Sequence, residues 1–176
     1  MILNNYWRLK HAIDTGIFRY ANGWWAIENI GLIDVNGNSF DTVVSTDPSQ
    51  YNYMVSNMQL KTNLSVKLGT GTRAESLTDY ALANDITNNI SSLNYSFATA
   101  YSGGKEITTC TITGSNNTGA EISISEIGLI KAIYRDGVAT SYNYTMLCRA
   151  VLDESIVVAS GDGFTYTFLW EEGIQE

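Results

Sequence analysis

The stretch GDGFTYTFLW, Gly161–Trp170, decides the fold. Phe164, Tyr166, Phe168 and Trp170 take every second position, with Thr165, Thr167 and Leu169 between them. A period of two is the repeat of a pleated strand, whose successive side chains point to opposite faces. Asp162, between Gly161 and Gly163, reads as the turn residue that starts this strand.

The same period recurs upstream. Leu93, Tyr95, Phe97, Thr99 and Tyr101 alternate with Asn94, Ser96, Ala98 and Ala100. EITTCTITG, Glu106–Gly114, sets Cys110 and Ile112 against Thr109, Thr111 and Thr113. After the turn GSNNTG, EISIS places Ile122 and Ile124 together. TMLCRAVL, Thr145–Leu152, alternates Met146, Cys148, Ala150 and Leu152 with Leu147, Arg149 and Val151. Strands at intervals of about 10–20 residues, joined by Gly, Asn, Asp and Ser, predict an all-β antiparallel sandwich of jelly-roll-like type. At most one or two short helices are expected. Glu75–Ile90, ESLTDYALANDITNNI, is the segment that suits one.

Composition agrees. The chain has 176 residues, 44% hydrophobic and 16% charged, which suits one domain over 1–176 with a buried core. Fifteen glycines against one proline fit strands and tight turns. The net charge of −8 repels phosphate and argues against nucleic acid as a partner. The start, MILNNYWRLKHAIDTG, has no apolar signal-peptide region, and no stretch approaches the roughly 18–20 apolar residues of a membrane span. A soluble chain made in the cytoplasm is expected, with no membrane partner. Cys110 and Cys148 fall in strand-like runs and are expected to stay reduced.

IGLI occurs twice, at Ile30–Ile33 and Ile127–Ile130. The first is followed by Asn36-Gly37, a two-residue hairpin signal. In the second, Ile122 and Ile124 are even while Ile127 and Leu129 are odd. Burying all four requires a slip near Ser125–Glu126, as a β-bulge provides, with Gly128 allowing close backbone approach. Both copies read as the buried end of a strand before a turn. The flanking sequence does not repeat, so no whole domain is duplicated.

Catalytic and ligand motifs are weak. Asp34, Asn36, Asn38 and Asp41 resemble a calcium loop, but its sixth and twelfth positions hold Ser39 and Ser45 instead of Gly and Glu. GTGTRA, Gly69–Ala74, matches a dinucleotide fingerprint. The place of its acidic partner holds Asn88 and Asn89, and no βαβ unit follows, so Gly69 and Gly71 read as loop-shaping residues. His11 is the one histidine and sits outside any triad pattern. Asp153-Glu154 and Glu171-Glu172 point to opposite faces if in strands, unlike a glycosidase pair. No Cys/His cluster has zinc spacing. No enzyme, no metal and no cofactor are expected.

KLGTGTRAESLTDYAL, ISISEIGLI, MLCRAVLD and VASGDGFTYTF appear in that order from about Val66 to Phe168. In this order of motifs the chain resembles small virion proteins of tailed bacteriophages. The resemblance implies a non-enzymatic β-sandwich in the virion, at the capsid surface, collar or tail. It also implies other virion proteins as partners, in a homo-oligomer, ring or array. Within the motifs, Glu126 and Arg149 are candidates to pair, a charge in each of two apolar strands.

Residues 1–45 are the candidate contact segment or extension. Tyr6, Trp7, Phe18, Tyr20, Trp24 and Trp25 crowd large rings beside Arg8, Lys10 and Arg19, a mix that interfaces favour. Tyr51 and Tyr53 extend the candidate interface. The alternative is a carbohydrate-binding module, with Trp24-Trp25, Tyr51/Tyr53 and Tyr142/Tyr144 as stacking faces; tyrosines at i and i+2 share one face of a strand.

Overall fold

Gly103 and Gly104 make a two-residue turn between paired strands. Both take positive φ, 59° and 72°, as a type I′ turn demands, and Ser102 pairs with Lys105 across them. This hairpin belongs to a computed structural model that describes residues 1–14, 18–21, 24–27, 31–40, 44–45, 64–134 and 142–173. One helix, α1 (Asn4–Asp14), precedes five short strands: β1 (Phe18–Ala21), β2 (Trp24–Ile27), β3 (Leu32–Ile33), β4 (Ser39–Phe40) and β5 (Val44–Ser45). The longer strands follow: β6 (Leu64–Gly69), β7 (Ile90–Ser102), β8 (Lys105–Asn116), β9 (Ile122–Tyr134), β10 (Tyr142–Val158) and β11 (Gly163–Gly173).

These form two antiparallel three-stranded sheets, β10-β9-β6 and β11-β8-β7. The chain is an all-β sandwich. Smaller antiparallel sheets, β1-β2-β5 and β3-β4, complete the described strands. The core lies between the two main sheets. Leu64, Val66, Leu68, Ile124, Ile127 and Leu129 come from one, and Ile90, Cys110, Ile112 and Trp170 from the other. Full burial of such a side chain contributes roughly 1.5–3 kcal/mol. The alternation in β8 and β11 stands as expected: Cys110 and Ile112 face in, as do Phe164, Tyr166, Phe168 and Trp170, with the threonines between them outside.

The slip in β9 is also present. Val151 pairs with Glu126 and Ile156 with Ile124, so Leu152–Ser155 bulge opposite the single residue Ser125. Ile124, Ile127 and Leu129 thereby all reach the core. A second irregularity was not expected. Met146 pairs with Ile130 and Cys148 with Leu129, leaving Leu147 as an extra residue. It throws Met146 to the outer face with Leu3 and Ile130, while Cys148 stays inside. Met146 and Cys148 therefore do not share a face.

The helix is not where the sequence pattern placed it. Asn4–Asp14 forms α1, and Glu75–Ile90 is irregular apart from a 3₁₀ turn at Thr87–Asn89. Leu3, Tyr6 and Leu9 carry the helical spacing and are buried. Tyr6 stacks edge-on against Trp170, with centroids 5.1 Å apart. Asn5 ties α1 to the sheet: its side chain exchanges hydrogen bonds with Ile33 at 3.0 and 3.1 Å and donates to the Met146 carbonyl at 3.2 Å. Ahead of α1, Ile2 bridges Cys148, so the first residues lie along the edge of β10.

The IGLI copies part ways. In the first, β3 and β4 close a hairpin in which the Asp34 amide donates to the Asn38 carbonyl. Its loop has three residues, with Gly37 at φ 84°, not the two expected. In the second, Ile127–Ile130 lies in mid-strand, with β9 running on to Tyr134.

Candidate functional site

Outside the core, on the far face of the β10-β9-β6 sheet, sit Glu126, Gly128 and Arg149. Arg149 lies opposite Gly128, and Glu126 opposite Gly69. Arg149 and Glu126 are both fully buried. The guanidinium gives Nε and Nη2 to Glu126 Oε2, at 2.9 and 2.7 Å. Nη1 reaches Asp79 Oδ2 at 2.8 Å and the Ala74 carbonyl at 3.5 Å, and Nη2 also reaches the Arg73 carbonyl at 3.0 Å. Glu126 in turn accepts the amides of Gly71, Asn84 and Ala83, at 3.0, 2.9 and 3.2 Å.

The glycines are part of this device. A Cβ on Gly69 would lie 2.5 Å from Glu126 Oε1 and 2.7 Å from the Asn84 carbonyl oxygen, and one on Gly71 would meet the same carboxylate. Gly128 leaves room for Met146 Cε and Leu82 Cδ2, at 2.8 and 3.0 Å from a hypothetical Cβ, so side chains fill the space expected for backbone. Asp79 was not singled out in the sequence. Its Oδ2 accepts the Ser76 amide at 2.9 Å, and its Oδ1 the Arg73 guanidinium at 2.6 Å.

Burial raises the Glu126 and Asp79 carboxyl pKa values, but amide hydrogen bonds and Arg149 outweigh it and hold both below the ordinary range. The guanidinium is saturated: each of its N–H groups has a protein acceptor. The cluster works as a clamp that fastens the connection from Thr70 to Ile86 onto the sheet. That connection returns along β6, with the Thr70 amide donating to the Asn84 carbonyl and the Ile86 amide to the Leu68 carbonyl, at 3.0 and 2.8 Å.

A cavity of about 530 Å³ lies beside the clamp on this face. Ile130 and Met146 form a buried floor, and Val35 and Leu82 add apolar wall. Asn36, Ser65, Lys67 and Asp85 supply polar groups, with Lys67 and Asp85 paired at 3.2 Å. Tyr144, half exposed, lines one side, and its ring lies 6.5 Å from that of Tyr142 at a tilt of 32°. A volume of this size with apolar lining and a few polar groups is typical of small-molecule sites. Among the described residues, no group of three His, Cys, Asp or Glu is placed to hold a metal ion.

The residues singled out in the sequence fall into three groups. Gly69, Gly71, Glu126, Gly128 and Arg149 meet at the clamp. Asp162 is exposed in the turn before β11, where its carbonyl accepts the Asn116 amide at 2.9 Å. Of the candidate interface, Tyr6, Trp7 and Arg8 are the residues whose side chains are described. Tyr6 is fully buried in the chain's own core and is withdrawn from the surface by Trp170. Trp7 is 47% exposed, and Arg8 is exposed with its guanidinium on the Gly31 carbonyl. Trp24 and Trp25 lie in β2, their side chains outside the described residues, as are Tyr51 and Tyr53 altogether. Lys131 escaped notice in the sequence. It is buried in β9, and desolvation lowers its amine pKa to about 8. Its signal was a lone lysine inside the apolar run IGLIKAI.

Compared with family models, curated proteins and solved structures, the chain matches none.

Proposed function

We propose that this chain is a non-enzymatic structural component of a tailed-phage particle, binding other virion subunits at the capsid, collar or tail. The observation that carries the reading is the use to which the motif residues are put. The glycine-threonine loop, Glu126, Gly128 and Arg149, which carry the resemblance, converge on one buried clamp and serve the fold. What the chain offers outward is then its surface. Trp7 at 47%, Tyr101 at 71% and Leu169 at 57% exposure are large apolar groups of the kind that anchor protein contacts. In this reading the chain is made in the host cytoplasm and resides in the virion.

The test is quantitative mass spectrometry of purified particles. A fixed copy number per particle is expected, and its loss after Trp7→Ser, in a chain that folds normally, would assign a contact to α1. Absence of the chain from particles overturns the reading.

One observation favours a second reading, carbohydrate binding. Tyr144 stands at a cavity whose other groups include Asn36, Lys67 and Asp85, an aromatic face beside hydrogen-bonding partners. Glycan-array binding abolished by Tyr144→Ala would support it, and an array with no signal would remove it.

A further inference from the structure

We propose that the outer edge of β7 pairs with β7 of a second copy, antiparallel, about a two-fold axis at Ala98. This deepens the assembly reading by naming one partner, and it rests on that reading for its biological setting. The two main sheets treat their edges differently. In the β10-β9-β6 sheet, β10 is bridged by Ile2 at Cys148, and β6 by Asp85 at Gly69. Among the described residues, β7 and β11 each pair only with β8, and of these two edges β11 carries Glu171-Glu172 toward its end while β7 carries no charge. An open strand edge is a template for another chain, and proteins that stay monomeric blunt it with Lys, Pro or bulges. From Ile90 to Ser102 there is no charged residue and no proline, in a chain of net charge −8. One irregularity lies between Ser91 and Asn94, with Ser92 at φ 49°, and leaves Asn94–Ser102 regular.

The side chains are self-complementary about Ala98. Antiparallel pairing with Ala98 opposite its own copy sets Tyr95 opposite Tyr101 and Phe97 opposite Thr99. On the other face, Ser96 meets Ala100 and Asn94 meets Ser102. Cross-strand aromatic pairs stabilise such ladders, and no like charges oppose. The rings are available: Tyr95 is 39% and Tyr101 is 71% exposed, although both lie on the strand face that carries Phe97 toward the core. A two-fold axis makes both contributions identical, as a closed dimer requires.

The experiment combines light scattering with cysteine cross-linking on the full chain. The wild type is expected at twice the 19.4 kDa chain mass, and Ser96→Lys with Ala100→Lys at the monomer mass with an unchanged circular-dichroism spectrum. Ala98→Cys is expected to form a disulfide dimer under mild oxidation, because residues facing each other across antiparallel strands lie within disulfide reach. Asn94→Cys, far from its own copy, is not. If the lysine variant loses its fold, the cysteine pair decides alone. A monomeric wild type, a lysine variant that stays dimeric, or Asn94→Cys cross-linking as readily as Ala98→Cys overturns the pairing. A monomer that still enters particles overturns only the pairing, whereas a dimer absent from particles overturns only the assembly reading.

Discussion

Replacing Arg149 by methionine removes every polar contact of the guanidinium and leaves Glu126 and Asp79 buried beside each other's charge. Breaking a buried ion pair by deleting one partner costs about 3–5 kcal/mol. For a chain of this size each kcal/mol shifts the melting temperature by about 2–4 °C, so a fall of roughly 6–20 °C is expected at pH 7. The pH dependence carries a second expectation. In the wild type, burial pushes the Glu126 and Asp79 carboxyl pKa values up, but amide hydrogen bonds and Arg149 bring both below their ordinary 4.5 and 3.8. Carboxyls held low in the folded state contribute stability that is present above those ordinary values. It is lost as pH falls from there through the lowered ones. In Arg149→Met the largest opposing influence, burial, is less well countered, and protonation relieves two carboxylates that keep their amide partners, and for Asp79 Arg73, but have lost Arg149. The gap between wild type and variant should therefore narrow below about pH 4.5, the ordinary value for Glu126. Urea titrations of both proteins across this range measure it. A loss under about 1 kcal/mol at pH 7, or a gap that does not narrow with acid, refutes the clamp.

Gly71→Ala should destabilise by about 1–3 kcal/mol, since its Cβ meets the Glu126 carboxylate and lies 2.6 Å from Ala83 Cβ; an unchanged urea midpoint would contradict that crowding. Tyr6→Ala should cost about 3–5 kcal/mol through a core cavity under Trp170, and a variant that stays fully stable would return Tyr6 to the surface. Cys110 and Cys148 are buried free thiols whose pKa values burial raises to about 12 and about 11. Both should resist alkylation in the native protein at pH 8 and react fully in urea, with intact mass as the readout; rapid native labelling would place them elsewhere.

How much of this was legible follows from what each device needs. Alternation in β8 and β11 was plain because each strand has one wet face and one dry face. Over Thr145–Arg149 of β10 both faces are buried, so an inserted residue at Leu147 leaves no mark on the apolar pattern. The slip at Ser125 was readable because the isoleucines change parity there. Glu126 and Arg149 stood out as charges in apolar strands. Asp79 did not, because it lies in Glu75–Ile90, the segment whose sequence suits a short helix. Its side chain reaches back to the Ser76 amide, but Arg149 takes the carboxylate and the Arg73 and Ala74 carbonyls, and no helix forms. The helix at Asn4–Asp14 lay behind rings that read equally as a contact surface. The cavity was invisible, since its lining comes from segments as distant as Val35, Lys67 and Met146.

The clamp also bears on where contacts can form. It fastens Thr70–Ile86 across the outer face of the β10-β9-β6 sheet, and the same segment lies against the edge of β6 at Asp85. The segment thereby covers part of that face, beside the cavity, and one end of the β6 edge. On the other sheet, the outer positions of β7, β8 and β11 form rows of small neutral groups, such as Ser96, Thr111 and Thr167, or Asn94, Thr113 and Thr165. Charge enters at one end, where Lys105 pairs with Glu171 at 2.9 Å. A face with charge only at its rim and none across its middle has the composition of a contact surface. The buried ions thus tie one sheet to its own connecting segment, while the middle of the other sheet carries no charge and its β7 edge pairs only with β8 among the described residues, which is the surface the proposed pairing uses.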